Sequence, residues 1–536
     1  MIDQAALERL ERIVDSSGVA VRIERLLPAG VRPRQLPVRT LLLGILLIAL
    51  DGRPAHLVRA HQALIGLPEK DRWRLGILTI WKTGEHLLTY RQVERTFKLV
   101  VRALSKDKPD GSPSPILSDT LDRLLEASIT VLGQPASSSY AADWSDLEAW
   151  ARPPHKPPGA EPSEPGPDEP AAHDNEPDRD PGTETAGACT DQDARRGDPE
   201  AAWGHRNSNH PAKNEIFYGY YLQALTSVRD ERGPEVPALV RRIHIAGCDH
   251  DPPPQIVPVL ARMTAAGIAV SDLLADSGYA YRVPERWALP VRSLGIDLIQ
   301  DLHPADRGPK GTHMGAILAN GSLYCPATPA RLLALSPLGM GAGPGQTASH
   351  DQQTGELAKY KLSPVTGRDP DGYHRVKCPA AQGKLRCPLR PASMTLPHQH
   401  PTILDPPAHP PLCCQQQTIT VPPTINAKTV QKHDYPSARH RASYKRRTAA
   451  ERSFATLYDR AGNDLSRGFC RITGLTATAL LTATITIARN IRITDAYTAR
   501  QAENNRRAAH GLPPRQRQRR RQTAENLIHA ATTGPP

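Results

Sequence analysis

Residues 270–279, VSDLLADSGY, combine a short apolar strand with a carboxylate at its end. The run VSDLLA has the length and the polar flanks of a buried strand, and Asp276 follows it directly. Other regular elements are predicted around it, namely strands at 217–228, 240–246 and 296–302 and a helix at 256–266. Strands and helices that alternate in this order indicate a mixed α/β sheet.

The segment before the sheet, residues 1–132, has the pattern of a helical domain, with apolar residues three and four positions apart. The run LLLGILLIAL at 41–50 is too short for a membrane span and predicts a buried helix. We expect Ser118 and Asp119 to cap the last helix. Such a domain could dock on duplex DNA, although the same charges would also suit a solvated face. Its basic residues include Arg32, Arg34, Arg39, Arg91, Lys98 and Arg102.

Charge and composition favour a polyanionic partner. The 536 residues carry a formal net charge of +12, and each Lys or Arg beside a phosphate releases a condensed counterion. Aromatic residues make up only 4% of the chain, which disfavours binding of single strands by base stacking. The sequence shows neither a membrane span nor a secretory pattern, so we expect a cytoplasmic, nucleoid-associated protein.

Shifts in composition divide the chain into successive segments. Residues 152–200 are rich in Pro, Asp and Glu, which predicts a disordered acidic insertion. Residues 306–440 are rich in Pro and contain cysteines, which predicts a second insertion. The predicted order is a basic helical domain that could bind DNA (1–132), an α/β domain in three parts (133–151, 201–305 and 441–498) separated by the insertions, and a basic flexible tail (499–536).

Three acidic residues have contexts that suit metal-dependent phosphodiester chemistry. Asp143 lies in SSSYAADWSDLEAW, after a short segment that could form an edge of the sheet, and Asp276 ends a strand. Glu451 lies at the start of a predicted helix in YKRRTAAERSF. Carboxylates are hard ligands for Mg²⁺ or Mn²⁺, and paired ions can activate an attacking oxygen and stabilise the leaving one. Asp146 is an alternative to Asp143, and Asp276 could instead be a turn former.

The spacing of Tyr444, Arg447 and Glu451 resembles the signature of DDE transposases from IS4-like and IS1182-like insertion sequences. The phrases LLADSGY at 273–279 and AADWSDLEAWARP at 141–153 are similar to the second and first aspartate motifs of these enzymes. The resemblance implies an RNase H-like catalytic domain and a DNA transposase, an endonuclease that cuts the ends of an insertion sequence and joins them to target DNA. It implies double-stranded DNA as partner, both terminal inverted repeats and target, and a homodimer on that DNA.

The resemblance also assigns roles to individual residues. Arg447 would contact a DNA phosphate and Tyr444 would pack against the DNA backbone. The metal ligands, for Mg²⁺ or Mn²⁺, would be Asp143, Asp276 and Glu451.

Two features of the signature leave alternatives open. Its last basic residue falls at Tyr458; Arg460 or Arg452 could substitute as a DNA contact, although neither has the expected spacing. On one helix Tyr444, Arg447 and Glu451 would share a face, which suits a joint DNA and metal surface. The same spacing also fits an ordinary amphipathic helix with a salt bridge between Arg447 and Glu451.

Five of the eight cysteines fall between residues 325 and 414, which suggests thiols or a metal site rather than a disulfide framework. Structural Zn²⁺ sites often use four thiolates, and similar transposases carry Cys-bearing insertions at this place. Close Cys-x-x-Cys pairs are missing, so reduced thiols or a decayed site are the alternatives. His398, His400 and His409 could complete a mixed site, and the candidate zinc ligands are Cys325, Cys378, Cys387 and Cys413.

Two other functions stay open from the sequence. A catalytically decayed transposase would bind DNA without cutting it, and Tyr458 favours that alternative. A metal-dependent nuclease would cut DNA without strand transfer. The presence of all three carboxylates favours an active enzyme.

Overall fold

The structure is a computed structural model that describes residues 3–28, 35–81, 84–107, 111–153, 197–206, 215–339, 341–459 and 464–515. Arg32, Arg34, most of the predicted acidic insertion and the end of the predicted tail lie outside the described residues. The architecture is mixed α/β, as the sequence predicts. It contains an N-terminal helical part, a central mixed sheet and an insertion with small sheets of its own.

The N-terminal part is helical, as predicted, and contains one hairpin that the sequence pattern did not indicate. The apolar run at 41–50 lies almost wholly buried in the third helix, which agrees with the prediction of a core helix. The elements are α1 (Gln4–Ser17), α2 (Val19–Leu26), α3 (Val38–Leu50), α4 (Leu57–Ile65), α5 (Glu69–Arg74), β1 (Leu78–Trp81), β2 (Gly84–Leu87), α6 (Tyr90–Leu104) and α7 (Pro115–Leu132).

The predicted cap of the last N-terminal helix, at Ser118 and Asp119, is wrong. Helix α7 begins one turn earlier, where the Ser114 hydroxyl accepts a hydrogen bond from the Leu117 N–H at 3.0 Å. Pro115 suits the first helical position because it has no N–H to leave unpaired. Ser118 and Asp119 therefore lie inside the helix, and Asp119 forms ion pairs on its surface.

The central sheet contains the strands predicted at 217–228, 240–246, 270–275 and 296–302, with small shifts at their ends. The long fifth strand pairs antiparallel with the third on one side and with the fourth and sixth on the other. The third, seventh and eighth strands run parallel. The strands are β3 (Ser139–Glu148), β4 (Ala202–Arg206), β5 (Glu215–Val228), β6 (Val240–Gly247), β7 (Asp272–Ala275) and β8 (Asp297–Gln300).

The sequence predicted a short segment at an edge of the sheet just before Asp143. The structure instead has a ten-residue strand in the interior of the sheet. Strand β3 lies between β5 and β7, and its first four residues are buried. Asp143 and Asp146 lie among the less buried residues that follow these four. These polar residues interrupt the apolar pattern, which explains why the sequence indicated only a short segment.

Helices pack on one face of the sheet through a core that includes Tyr140, Ala142, Leu273 and Trp287. These helices are α8 (Pro252–Ala265), α9 (Ser277–Ala280) and α10 (Ala288–Ser293). The predicted helix at 256–266 corresponds to α8 and is confirmed. These helices and the parallel strands β3, β7 and β8 together form one half of the α/β unit.

The insertion after β8 is more regular than its Pro-rich composition suggested. It contains two small antiparallel sheets, ordered β11-β10-β9 and β12-β13-β14, and two apolar clusters. Its elements are β9 (Pro309–His313), β10 (Ala316–Ala319), β11 (Ser322–Tyr324), α11 (Ala330–Leu333), α12 (Pro344–Tyr360), β12 (Ser363–Pro364), β13 (His374–Lys377), α13 (Leu412–Gln415) and β14 (Ile419–Val421).

The chain then returns to the sheet through α14 (Ala438–Tyr444), a 3-10 turn (Lys445–Arg447), α15 (Thr448–Leu457) and α16 (Leu475–Ala509). Helix α16 extends past residue 499, where the sequence predicted the start of a flexible tail. It packs with α3 and α7 on the second face of the sheet, in a core that the N-terminal helices share. None of the helices in the described ranges is both long and apolar enough to cross a membrane.

Candidate active site

The sheet register brings Asp143 level with Asp276. Strands β3 and β7 run parallel, with Ala141 opposite Leu274. Continued by two residues, this register sets Asp143 opposite Asp276, which follows β7 directly, and the two carboxylates are close enough to repel each other. Neighbouring strands lie about 4.8 Å apart. The two aspartates therefore lie side by side at the carboxyl end of the parallel strands.

Helix α15 places Glu451 beside this pair. Ala141 of β3 packs in one apolar cluster with Ala450 of α15. Asp143 lies two residues after Ala141 and so shares its face of the strand. Glu451 follows Ala450 in the first turn of α15. The three predicted metal ligands thus come from two adjacent strands and from the helix that packs over them.

Arg447 interacts with all three carboxylates. Its guanidinium is ion-paired with Glu451, and one guanidinium nitrogen lies 3.9 Å from Asp143 Oδ2. It also attracts the Asp276 carboxylate, and it lies 5.4 Å from the centre of the Tyr444 ring. The side chains of Arg447 and Asp143 are each 16% exposed, whereas that of Glu451 is 51% exposed. Arg447 is therefore the shared counter-ion of the acidic cluster.

The two aspartates have raised pKa values, chiefly because both are buried. Burial and then repulsion from Asp276 raise the pKa of Asp143 to about 7, against the opposing attraction of Arg447. Burial also raises the pKa of Asp276, although Arg447 and the N–H of Gly278 lower it in part. One arginine thus does not offset the cost of holding the aspartates together.

The Ser277-Gly278-Tyr279 sequence fixes Asp276 against β3. Asp276 Oδ1 accepts a hydrogen bond from the Gly278 N–H at 2.9 Å. A Cβ on Gly278 would lie 2.5 Å from the Trp144 ring, so a larger residue would push the turn away from the strand. Tyr279 is buried and meets Trp144 edge-on, with ring centres 4.7 Å apart. Asp276 is therefore both a turn former and a neighbour of Asp143.

The geometry favours Asp143 over Asp146, the alternative from the sequence. Asp146 lies three residues further along β3, and so on the opposite face. Its carboxylate is ion-paired with Arg206 of β4 at 2.8 Å. Asp146 thus has its own counter-ion, away from Glu451.

The sequence predicted one continuous helix for Tyr444, Arg447 and Glu451. The structure differs from this prediction. The 3-10 turn Lys445–Arg447 separates α14 from α15, yet Arg447 still contacts both other residues. The half-buried Tyr444 ring stacks against His440, with ring centres 5.8 Å apart. The predicted salt bridge between Arg447 and Glu451 is present, as part of the larger acidic cluster.

Tyr458, at the position where the signature has a basic residue, holds α15 to the sheet. Its hydroxyl donates a hydrogen bond to the backbone carbonyl of Asp146. Of the two predicted substitutes, Arg460 lies outside the described residues, and Arg452 lies exposed on α15 and does not face the acidic cluster. It lines a separate groove of about 480 Å³.

This arginine groove lies beside the start of α15, and Glu235 is the one acidic side chain among the described residues that line it. Its walls come from α15, α16 and the loop after β5, and a surplus of guanidinium groups suits a polyanionic ligand. The arginines that line it are Arg229, Arg446, Arg452, Arg500 and Arg515.

Sequence reasoning missed a buried ion network that anchors the turn before α15. Asp272, at the start of β7, is fully buried and accepts hydrogen bonds from Arg446 and Lys432, each at 2.9 Å. Arg446 also donates to the Ser139 hydroxyl of β3 at 3.0 Å. A charged residue inside the apolar run VSDLLA was the signal that could have revealed it, since a buried carboxylate needs partners.

The chemistry of the acidic cluster fits a hard divalent cation, although its ligands are not yet at metal-binding spacing. Across the described ranges, no three His, Cys, Asp or Glu side chains are grouped closely enough to hold one metal ion. Asp143 and Asp276 are adjacent, whereas Glu451 is turned toward Arg447. Carboxylate oxygens with raised pKa values suit Mg²⁺ or Mn²⁺, and Glu451 would have to leave Arg447 to complete the set.

The four candidate zinc ligands are buried thiols of the insertion, and Cys414 lies beside them. Cys325, Cys378 and Cys387 lie in one apolar cluster, and Cys413 packs in the neighbouring cluster with Cys414. These four residues are Cys325, Cys378, Cys387 and Cys413.

No protein-family model, no curated protein and no solved structure matches this chain. The functional assignment therefore depends on the residues and the geometry described above.

Proposed function

We propose that this chain is a DDE-type DNA transposase, which cleaves DNA at insertion-sequence ends with a divalent metal ion and joins those ends to target DNA. The observation that carries the proposal is the register of β3 and β7, which sets Asp143 beside Asp276 under the helix that carries Glu451. The sequence resemblance points to the same three residues without any use of geometry. Their convergence from distant parts of the chain supports the proposal because an accidental motif match would not require it.

The order of strands supports an RNase H-like catalytic domain. Three antiparallel strands, β6-β5-β3, continue into two parallel strands, β7 and β8. An RNase H-like sheet has the same order, with its first carboxylate on the central strand and its second after the neighbouring parallel strand. Asp143 and Asp276 occupy these two places.

Asp143, Asp276 and Glu451 would hold Mg²⁺ or Mn²⁺. Such ions, when bound, activate an attacking oxygen and stabilise the leaving one, so no nucleophilic side chain is required. Arg447, which lies beside Asp143 and Glu451, would hold the cluster together and would be placed to contact a DNA phosphate. Hydrolysis by water and strand transfer by a DNA 3′-OH differ only in the attacking oxygen.

The arginine groove supports a double-stranded DNA partner. Arg452 lines the groove on the same helix that presents Glu451 to the acidic cluster. A duplex held in the groove would therefore contact the helix that carries Glu451. Binding of terminal inverted repeats and target DNA as a homodimer, in a nucleoid-associated cytoplasmic protein, belongs to the same proposal, as the resemblance implies.

A decayed transposase that binds DNA without cutting it is the second candidate. It is favoured by one observation: Tyr458 serves a structural role where the signature has a basic residue. Under this alternative the arginine groove would keep its function while the acidic cluster would not bind metal.

The test is to incubate the chain with a duplex that carries the repeats flanking its own gene, with Mg²⁺ or Mn²⁺, alongside Glu451→Gln. We expect new 3′-OH ends and joined products from the wild type, and DNA binding without either product from the variant. Binding without cleavage by both proteins would favour the decayed enzyme. Cleavage without joined products would favour a nuclease, and cleavage by Glu451→Gln would refute the assigned site.

A further inference from the structure

Arg489, in α16, is a buried charged side chain whose hydrogen-bond partners are all uncharged. Only 3% of the residue is exposed, and its guanidinium fills a polar pocket between α16, α15 and the loop before β6. It donates hydrogen bonds to the Ala238 carbonyl at 2.6 Å, the Thr456 hydroxyl at 2.9 Å, the Ser453 hydroxyl at 3.0 Å and the Asn490 side-chain oxygen at 3.1 Å. These bonds orient the guanidinium but do not neutralise it.

The charge of Arg489 has no counter-ion among the residues that the structure describes. Burial is the one influence on its pKa, which falls to about 10, so the guanidinium stays protonated at neutral pH. Arg242 of β6 is equally buried, but it forms ion pairs with Asp122 and Glu126. Buried charges are normally paired in this way because an isolated one is costly. Arg489 therefore calls for an anion from outside the described part of the chain.

The guanidinium of Arg489 lies directly behind the wall of the arginine groove. Ala238, whose carbonyl accepts from Arg489, lines the groove. The Ser453 hydroxyl accepts from Arg489 and donates to the carbonyl of Ala449, which also lines it. Only one layer of residues thus separates the buried charge from a ligand in the groove. A wall of low dielectric transmits such a charge better than water does.

The side chains on the surface of the groove do not supply the missing anion. Glu235 is the one acidic residue among the described residues that line it, and its carboxylate lies 3.9 Å from Arg500. Its side chain is 67% exposed, so its charge is largely screened by solvent. The groove therefore keeps a surplus of positive charge both on its surface and behind it.

We propose that a phosphate group held in the arginine groove is the counter-ion of Arg489, which raises the affinity for that phosphate without touching it. This inference rests on the proposed function for the source of the phosphate, the backbone of duplex DNA. A free phosphate compound has the same chemistry, and the test below separates the two sources. The surface arginines can move with solvent, whereas Arg489 is fixed by four hydrogen bonds and acts as a permanent charge.

The test measures binding of a short duplex to the full-length chain, without divalent metal, by fluorescence anisotropy. We expect Arg489→Gln to weaken binding by about tenfold and Arg489→Lys, which keeps the charge, to stay within about threefold of the wild type. Arg492→Gln is the matched control, since Arg492 lies on the same helix but donates to the carbonyls of Ala49 and Leu50, which do not line the groove. It should bind as the wild type does. Wild-type affinity in Arg489→Gln, or equal losses in the Gln and Lys variants, would overturn the proposal.

A second measurement needs no variant that might fail to fold. The unfolding temperature of the wild-type chain should rise with the duplex, and to a smaller extent with inorganic pyrophosphate, relative to chloride at equal ionic strength. No rise with either ligand would overturn the proposal. A larger rise with pyrophosphate than with the duplex would support the counter-ion role and assign the phosphate to a free compound. Because neither measurement involves metal or cleavage, this inference and the transposase activity can fail separately.

Discussion

At the scale of single residues, the defining feature is a buried carboxylate that is costly to ionise. Asp143 is only 16% exposed and lies beside Asp276, and its pKa is raised to about 7. Such a residue destabilises the folded chain unless a cation binds it, and raised pKa values of this kind are typical of functional sites. The same carboxylate would be a strong metal ligand once deprotonated.

This cost predicts a pH-dependent gain of stability in Asp143→Asn. Because the folded state holds the Asp143 proton more tightly than the unfolded chain, stability falls as pH rises from about 4 to about 7. Asparagine removes that loss, so we expect the metal-free variant to be more stable by about 1–3 kcal/mol at pH 8. Below pH 4 the two proteins should differ little. Denaturant unfolding across this pH range measures the effect.

Metal addition provides the control for this prediction. Mg²⁺ or Mn²⁺ at pH 8 should raise the unfolding free energy of the wild type and not that of Asp143→Asn. A variant that is less stable than the wild type at pH 8, or that gains equally from metal, would contradict the account of Asp143.

At the scale of elements, the site depends on how the chain enters α15. Arg447 contacts the acidic cluster, whereas its neighbour Arg446 is tied to Asp272 and Ser139 at the start of β7 and β3. Adjacent residues thus fix the turn before α15 to both strands that carry the aspartates. Arg446 is a positioning residue, which acts on the cluster through the turn.

Substitution of Arg446 should therefore lower stability. Arg446→Met removes one partner of the fully buried Asp272, although Lys432 stays bound to it. We expect a loss of about 2–3 kcal/mol in the free energy of unfolding. Arg452→Met, six residues along the same segment and exposed, should change it by less than about 0.5 kcal/mol. Equal stability of the two variants would mean that the buried network does not anchor the turn.

The elements also show which features could be predicted from the sequence and why the others could not. The strand that ends at Asp276 and the helix that begins near Glu451 have local patterns, and the structure has both. The full length of β3 had no such local pattern, because Asp143 and Asp146 interrupt its apolar run. The register of β3 against β7 joins residues more than a hundred positions apart, and such pairing leaves no local signal.

At the scale of the whole molecule, the N-terminal helices and the sheet share one apolar core. Helix α16 packs against α3, α7 and β6. The sequence predicted a helical part and a sheet, but the pattern of either one does not reveal that they are packed together. The arginine groove follows from this arrangement, since α15, α16 and the loop after β5 each contribute to its wall.

The groove predicts a salt-dependent contribution to DNA binding. Each arginine that binds a phosphate should account for about 1 in the slope of log affinity against log salt. We expect Arg452→Ala combined with Arg500→Ala to lower the slope by about 2 and to weaken binding of any duplex sequence. Arg331→Ala, on the insertion, is the control and should leave the slope unchanged. An unchanged slope in the double variant would place the DNA elsewhere.

The most direct test of the central claim compares Asp143→Asn with Asp146→Asn in Mg²⁺-dependent cleavage of the terminal-repeat duplex. The two residues lie three positions apart on β3, but Asp143 faces the acidic cluster whereas Asp146 is paired with Arg206. We predict that Asp143→Asn lowers the cleavage rate by roughly 10³-fold or more while DNA binding persists, and that Asp146→Asn stays within about tenfold of the wild type. Full cleavage by Asp143→Asn, or loss of cleavage confined to Asp146→Asn, would contradict the proposed active site.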